Sequence, residues 1–236
     1  MAGTLYLLPV TLGDDRLTHA LPAEVIALAQ RLEIFVVENE KTARRFLGLI
    51  KPFKPVRELQ LLLLNEHTTD KQLPDLLAPL LAGHDVGLMS EAGCPGIADP
   101  GARLAQLAHR KGIRVAPLVG PSSILMALMA SGLNGQRFSF LGYLPSGKAE
   151  RILQLKALEK ASQRHAETQI FIETPYRNQH MLEDILAHCQ PETALCVAAN
   201  ISMENESIIS RTVAEWRKSP LPDLHKQPAV FLLLAG

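Results

Sequence analysis

The chain has 236 residues with 24 basic and 24 acidic side chains, so its formal net charge is zero. That balance excludes a strongly basic surface imposed by bulk composition, although it leaves room for a local basic patch. The apolar run Ala229–Ala235 is far shorter than the roughly 20 residues that cross a bilayer, and Met1–Pro9 lacks a basic leader. We therefore expect a cytoplasmic protein with no membrane contact.

The three cysteines, Cys94, Cys189 and Cys196, give an odd count without a CxxC pair. This pattern predicts neither a disulfide framework nor a zinc site, and it favours core positions for Cys189 and Cys196. The eight histidines form no HxxxH or HExxH pattern, so we expect no bound metal.

The first half of the chain alternates short β-type runs with segments of helical periodicity. Strands are predicted at Gly3–Pro9, Ile34–Val37, Val86–Met89 and Ile113–Pro117, and helices at Pro22–Leu32, Thr42–Leu49, Leu73–Leu81, Ala102–His109 and Ser122–Ser131. Such alternation is typical of an α/β architecture with mainly parallel strands.

The second half predicts a more antiparallel sheet. Strands are predicted at Phe138–Tyr143, Thr168–Glu173, Leu195–Ala199, Glu206–Thr212 and Ala229–Leu234, and helices at Glu150–Ala161 and Arg177–Cys189. We therefore expect two α/β domains, an N-terminal one over residues 1–117 and a C-terminal one over residues 118–236.

Two turn-rich segments, Ser90–Gly101 and Gly120–Ser123, each connect a predicted strand to a predicted helix. Ligands of open α/β sheets bind outside the carboxyl ends of strands, and long ordered loops in compact domains are usually functional. The alternative is a long but inert connection. Neither GxxxxGK[ST] nor GxGxxG opens a helix, so the usual phosphate motifs are excluded.

The order and spacing of several motifs resemble those of the tetrapyrrole methylase superfamily, the class III S-adenosylmethionine methyltransferases. The branch that methylates the ribose 2′-hydroxyl of a cytidine in 16S ribosomal RNA is the most similar. Its S-D-A-G-T-P-G-I-S-D-P-G resembles Ser90–Gly101, and its F-Y-E-S-P-H-R resembles Phe171–Arg177. The other matching segments are Gly3–Tyr6, Gly120–Ser123, Ala130–Leu133 and Phe140–Pro145.

This resemblance implies two α/β domains with S-adenosylmethionine in the cleft between them, and a homodimer. The implied cofactor-binding residues are Gly13, Glu91, Ala92, Gly93, Cys94, Ile97, Ser122, Ser123, Ile172, Glu173, Ala198, Ala199, Pro228, Ala229 and Val230. Such a ligand can be held mostly by backbone groups and small side chains, and methyl transfer needs no metal.

The chain departs from the branch at three places. Asp14 replaces the Asn of T-P-I-G-N-L, Glu91 replaces the first Asp of S-D-A-G-T-P-G-I-S-D-P-G, and Ala198–Met203 lacks the Arg and Glu of A-R-E-L-T-K. The expected cofactor contacts are thus better preserved than the expected substrate contacts, which predicts a distinct subfamily.

A general base is needed only if the acceptor is a hydroxyl or a protonated nitrogen. The candidates are Glu91, Asp14, Asp15, Glu173 and His67, and Glu91 is preferred as the catalytic residue because it lies inside the cofactor loop. Its alternative role is to bind the cofactor's ammonium group.

Helical spacing predicts one face for Lys41, Arg44 and Arg45. These side chains would bind substrate through RNA phosphates, or they simply form a solvated helix face. The leading hypothesis is an RNA methyltransferase, with ribose 2′-O-methylation of ribosomal RNA as the specific reaction. A methyltransferase of small molecules such as tetrapyrroles, and a catalytically inactive cofactor-binding module, are the alternatives.

Overall fold

Two separate five-stranded sheets organise the chain, which the computed structural model describes from Met1 to Gly236. Each sheet belongs to one of two compact units, Met1–Ser122 and Ser123–Gly236. The division falls inside the Gly120–Ser123 segment.

The first unit is built on a fully parallel sheet with the strand order β3-β2-β4-β1-β5. Its strands are β1 (Thr4–Leu7), β2 (Ile34–Val37), β3 (Gln60–Leu63), β4 (Val86–Met89) and β5 (Arg114–Pro117). Its helices are α1 (Leu17–Ala20), α2 (Ala23–Arg31), α3 (Glu40–Ile50), α4 (Leu73–Leu81) and α5 (Gly101–Arg110), with a 3₁₀ turn at Val56–Glu58.

Two apolar clusters cover the two faces of this sheet. Phe35 and Val37 of β2 pack with α2 and α3, whereas Val36 between them packs with α4 and α5. Side chains of successive strand residues point to opposite faces, so a strand covered on both sides reads as a continuous apolar run. The parallel arrangement also brings the carboxyl ends of β2, β4, β1 and β5 to one edge, in that order.

The second unit is built on a mixed sheet with the strand order β6-β7-β10-β8-β9. Its strands are β6 (Phe138–Tyr143), β7 (Thr168–Ile172), β8 (Ala194–Ala199), β9 (Ser207–Thr212) and β10 (Ala229–Leu234). Its helices are α6 (Ser123–Ser131), α7 (Lys148–His165), α8 (Asn178–His188) and α9 (Val213–Arg217). Only β6 and β7 pair in parallel, and β10 runs antiparallel to both of its neighbours.

One core cluster of this unit lies around Phe171 and Phe231, whose rings stack with centroids 5.7 Å apart. Cys189 and Cys196 are buried, as the sequence predicts. Trp216 is fully buried and donates from Nε1 to the Leu195 carbonyl oxygen at 2.9 Å.

The predicted α/β architecture, with a parallel first sheet and a more antiparallel second sheet, is confirmed. The predicted elements all occur, with ends shifted by a few residues, while β3 and the short helices α1 and α9 were not predicted. The domain limit after Pro117 stays a prediction. None of the helices combines the length and the apolar character needed to cross a membrane.

Candidate functional site

Three loops of the first unit pack against one another at the carboxyl edge of its sheet, where β4, β1 and β5 are neighbours. Val10, after β1, donates its backbone N–H to the Gly93 carbonyl oxygen at 2.9 Å. Cys94 places its Sγ 3.3 Å from the carbonyl oxygen of Pro121, which lies after β5. Gly93 has a φ of 72°, a conformation that a side chain would strain. The two loops singled out from the sequence are therefore in direct contact.

Asp99 fixes the path of the loop Ser90–Gly101, which we call the donor loop. Its carboxylate accepts hydrogen bonds from the backbone N–H groups of Gly96 at 2.7 Å and Gly101 at 2.6 Å. Burial raises the pKa of Asp99, and the amide bonds offset only part of that effect. With the loop closed on this carboxylate, Ile97 and Ala98 stay exposed at its tip.

Glu38, Glu91 and Asp99 form a group of carboxylates at this edge. Glu91 donates its backbone N–H to Glu38 Oε1 at 3.3 Å, and its own Oε1 accepts from the Thr42 hydroxyl at 3.2 Å. Burial raises the pKa of Glu38 to about 7, and the negative charges of Asp99 and Glu91 add to the effect. None of the ion pairs within 4.0 Å includes any of the three carboxylates. The three carboxylates at this edge are thus not neutralised by a paired cation.

A small cavity of about 150 Å³ opens beside Glu91. Its lining includes two of the residues expected to bind the cofactor, Gly13 and Glu91, and one expected to bind substrate, Arg45. Gly13 has a φ of 114°, so the turn after β1 depends on a glycine at this position. The remaining lining residues are Val10, Thr11, Asp15, Thr42, Ala43, Phe46, Leu49, Met89 and Ser90.

The three basic residues of α3 make different contacts. Arg45 donates from Nη2 to both carboxylate oxygens of Asp15, at 3.0 and 2.9 Å, and lines the cavity. Arg44 donates to the Val56 carbonyl oxygen at 3.1 Å and to Glu40 at 3.3 Å, while Lys41 is exposed. Arg45 is thus the one of the three at the cavity.

Asp14, the residue at the branch's Asn position, is held by its own neighbour. The Arg16 backbone N–H donates to Oδ1 at 2.9 Å, and the Arg16 Nε lies 2.6 Å from Oδ2. These bonds lower the pKa of Asp14, with the backbone bond contributing most. Asp14 is therefore ionised at neutral pH and shapes the turn beside Gly13.

The second unit gathers its expected cofactor residues at one edge of its own sheet. Val230 of β10 lies in register with Ile172 of β7 on one side and Ala198 of β8 on the other. Ala229 pairs with Ala199 in the same way. Because β7 and β8 end where β10 begins, one edge brings together residues that are distant in sequence.

Side chains tie the loops at this edge together. Asn178 donates from Nδ2 to the Gln227 carbonyl oxygen at 2.6 Å, and the Asn200 backbone N–H donates to the Pro228 carbonyl oxygen at 3.0 Å. Glu173 is fully buried and accepts from the Arg177 guanidinium at 2.6 Å. Polar atoms without a partner are buried here, namely Glu173 Oε2, Arg177 Nε, Asn178 Oδ1 and Ser202 Oγ.

The chemistry of both edges fits S-adenosylmethionine, the cofactor that the motifs imply. A ligand with a sulfonium and an ammonium group suits carboxylates that form no ion pair within the protein, as at Glu38, Glu91 and Asp99. A nucleoside suits buried polar atoms that still lack a partner, because such atoms are costly until a ligand or water satisfies them. No cluster of His, Cys, Asp or Glu is arranged to hold a metal ion.

Some of these features were not predicted from the sequence. Glu38 precedes a helix N-cap, Asn39, and reads as an ordinary residue of that turn. Asp99 was included only as part of a motif, and Asn178 and Gln227 were not singled out. The sequence feature that could have identified Glu38 is its position directly after β2, a buried strand that pairs with β4.

The chain is similar to known proteins of one family. The family model described as tetrapyrrole (corrin/porphyrin) methylases matches residues 4–216. The chain is 33% identical over 235 residues to ribosomal RNA small subunit methyltransferase I of Pseudomonas aeruginosa, covering all of this chain and 79% of that protein. It is 31% identical over 213 residues to the protein of the same name from Escherichia coli O157:H7, covering 90% of this chain and 70% of that protein.

Solved structures share the fold. The methyltransferase CobJ matches with a TM-score of 0.64 and 18% identity, over 100% of this chain and 94% of that one. A uroporphyrin-III-C-methyltransferase from Thermus thermophilus matches with a TM-score of 0.58 and 19% identity, over 98% and 94%. The chain therefore belongs to the tetrapyrrole methylase family, whose methyltransferases use S-adenosylmethionine as the methyl donor.

Proposed function

We propose that this methyltransferase acts on RNA, and specifically on a ribose 2′-hydroxyl of small-subunit ribosomal RNA. The observation that carries the proposal is the identity of 31–33% to ribosomal RNA small subunit methyltransferases I over 90–100% of the chain. The resemblance of the donor loop to the ribose-methylating branch supports the hydroxyl as the acceptor.

The cavity beside Glu91 supports a nucleic-acid substrate. Arg45 lies at its lining and is neutralised by Asp15 at 2.9 Å, in an exposed ion pair of small net stability. An RNA phosphate can replace the Asp15 carboxylate as the partner of the guanidinium, because arginine binds both groups through the same donor geometry. Lys41, exposed on the same helix, and Arg44 extend the positive charge.

Glu91 is the proposed proton acceptor for the hydroxyl. It is exposed at the cavity, and the Thr42 hydroxyl orients one of its oxygens. The bound cofactor supplies an electrophilic methyl group, so the protein's part is to position the hydroxyl and to take its proton. The donor-binding residues are those expected from the sequence, grouped at the carboxyl edge of the first sheet and at the β7-β10-β8 edge of the second.

The test is transfer of labelled methyl groups to defined acceptors. The protein is incubated with methyl-labelled S-adenosylmethionine and either small ribosomal subunits from cells lacking the enzyme or a small-molecule fraction of the same cells. We expect the label in ribosomal RNA, in an alkali-stable dinucleotide, because a 2′-O-methyl group protects the adjacent phosphodiester from alkaline cleavage. Label in the small-molecule fraction alone would support the alternative acceptor, and donor binding without any transfer would indicate an inactive module.

Two substitutions sharpen the assignment. Arg45→Ala should raise KM for the RNA and reduce its salt dependence, whereas Arg110→Ala, an exposed arginine at the end of α5, is the matched control. Glu91→Gln should lower kcat by about 10²–10⁴-fold with little change in donor affinity. A loss of donor affinity instead of kcat would reassign Glu91 to the ammonium group of the cofactor.

We also propose a homodimer formed through the second unit. Met129 of α6 is 83% exposed, and Phe138 and Leu141 of β6 are exposed apolar side chains. Residues 123–136 of this unit contain no charged side chain, so α6 of two copies can meet without charge repulsion. Light scattering should show a dimer that Met129→Lys dissociates and that Leu81→Lys, at an exposed position of the first unit, leaves intact.

A further inference from the structure

We infer that Glu38 couples binding of the cationic methyl donor to release of a proton, so that S-adenosylmethionine binds more tightly as the pH rises through neutrality. The inference rests on the donor loop being the proposed binding site, and it adds a residue that the family motifs did not point to.

The geometry places Glu38 in contact with the donor loop. It directly follows β2, which is paired with β4 up to Val37 and Met89, so its carboxylate meets the loop that follows β4. Glu38 Oε1 accepts the Glu91 backbone N–H at 3.3 Å. A change in the charge of Glu38 therefore acts directly on the loop that carries the expected donor-binding residues.

The charged groups around Glu38 are carboxylates. Glu91 and Asp99 on the donor loop face it, and each raises its pKa through its negative charge. No lysine, arginine or histidine forms an ion pair with any of the three. Burial adds the largest contribution, and the pKa of Glu38 reaches about 7. Glu38 therefore exchanges its proton with the solvent in the neutral pH range.

A cation bound at this edge shifts the equilibrium of Glu38 from the protonated to the ionised form. A positive charge beside a carboxyl group favours its ionised form, as an adjacent arginine does within a protein. Glu38 then loses its proton to the solvent, and the carboxylate attracts the sulfonium group of the donor. The product, S-adenosylhomocysteine, lacks the sulfonium charge, so its binding should release fewer protons.

Linkage sets the size of the effect. A group that is half protonated in the free protein and ionised in the complex releases about 0.5 proton at pH 7. The same group makes the Kd about tenfold lower at pH 8 than at pH 6. Donor binding lowers the pKa of Glu38, so deprotonation favours the complex and the affinity for the donor rises with pH.

Calorimetric titration with S-adenosylmethionine tests the inference. It is run from pH 6 to 8, in buffers of different ionisation enthalpy, on the wild type, Glu38→Gln and the control Glu40→Gln. Glu40 is exposed and bonds only Arg44, so its variant should follow the wild type. The α-amino group of the donor also titrates in this pH range, so the quantity compared is the difference in proton release between wild type and variant. Glu38→Gln should release about 0.5 proton less at pH 7 and lose the tenfold change.

The outcomes separate this inference from the proposed function. Equal proton release by wild type and Glu38→Gln overturns the role of Glu38 while the donor site stands. Failure of the wild type to bind the donor overturns both. Should Glu38→Gln fold poorly, carbon NMR of the glutamate carboxyls in the wild type replaces it. The Glu38 resonance should then titrate near pH 7 without donor and well below it with donor, and no shift on binding counts against the inference.

Discussion

Replacing Gly101 with alanine tests whether Asp99 and the start of α5 hold the donor loop in place. A Cβ atom at position 101 would lie 2.7 Å from Asp99 Oδ1 and 2.9 Å from Leu88 Cδ2. Leu88 is 2% exposed within the core of the first unit, so it has little room to withdraw. The carboxylate must therefore move, and it is the group that accepts the Gly96 and Gly101 amides.

The expected loss of stability is about 2–3 kcal/mol. Overpacking of a filled core costs about 1–3 kcal/mol, and weakening two bonds to a charged acceptor adds to it. The gain of about 0.5–1 kcal/mol from replacing a helical glycine offsets part of this sum. Donor affinity should fall at least tenfold, because the displaced loop carries the expected contacts.

Urea denaturation followed by far-ultraviolet circular dichroism measures the stability, since the one tryptophan, Trp216, lies in the second unit. Calorimetry measures the donor Kd. Gly48→Ala is the matched control, because a Cβ at this helical position meets nothing within 4 Å and should stabilise the protein by about 0.5–1 kcal/mol. If Gly101→Ala keeps wild-type stability and donor affinity, Asp99 does not hold the loop as described.

Three further predictions concern two carboxylates of the site and one buried ion pair of the second unit, between Arg151 of α7 and Asp184 of α8. Asp99→Ala should loosen the donor loop and lower the free energy of unfolding by about 1–3 kcal/mol, with a weaker donor Kd; unchanged values in both assays would contradict the contact. Glu38→Gln should raise the free energy of unfolding of the donor-free protein relative to wild type, and by more at pH 8 than at pH 5. The folded pKa of Glu38 near 7 lies above the ordinary 4.5, so ionisation of the wild-type carboxyl between these pH values opposes folding. With allowance for solvent screening the difference is about 1–2 kcal/mol by urea denaturation, and a pH-independent difference would refute it. Arg151→Met should cost about 3–5 kcal/mol, because it leaves the buried Asp184 carboxylate without its 2.6 Å partner; if the double variant with Asp184→Leu is no more stable than the single one, the cost is not electrostatic.

The sequence predicts those parts of the fold in which local pattern and burial agree. Val86–Met89 is buried on both faces and reads as a continuous apolar run, and Phe138–Tyr143 and Ala229–Leu234 were likewise predicted at their observed limits. The strand Gln60–Leu63 was missed, because its leucines carry no β-branched or aromatic signal and a short apolar run does not distinguish a strand from a helix.

The candidate site is predictable only in part for a related reason. Glycines and prolines mark the loops because their conformational effects are local. The environment of Glu38 is not local, since the amide that it accepts lies 53 residues further along the chain. A carboxyl group acquires a raised pKa from neighbours that only the folded sheet brings together.

The position of β10 has a consequence for synthesis of the protein. This strand lies between β7 and β8, yet both of those strands precede it in the chain. While the polypeptide emerges from the ribosome, β6 with β7 and β8 with β9 can pair only as separate halves. Phe171 cannot stack on Phe231, and Ile172 and Ala198 cannot both pair with Val230, until β10 has been synthesised. The proposed donor-binding residues of the second unit are thus brought together only after β10 has been synthesised, so the nascent chain lacks this edge until that strand pairs.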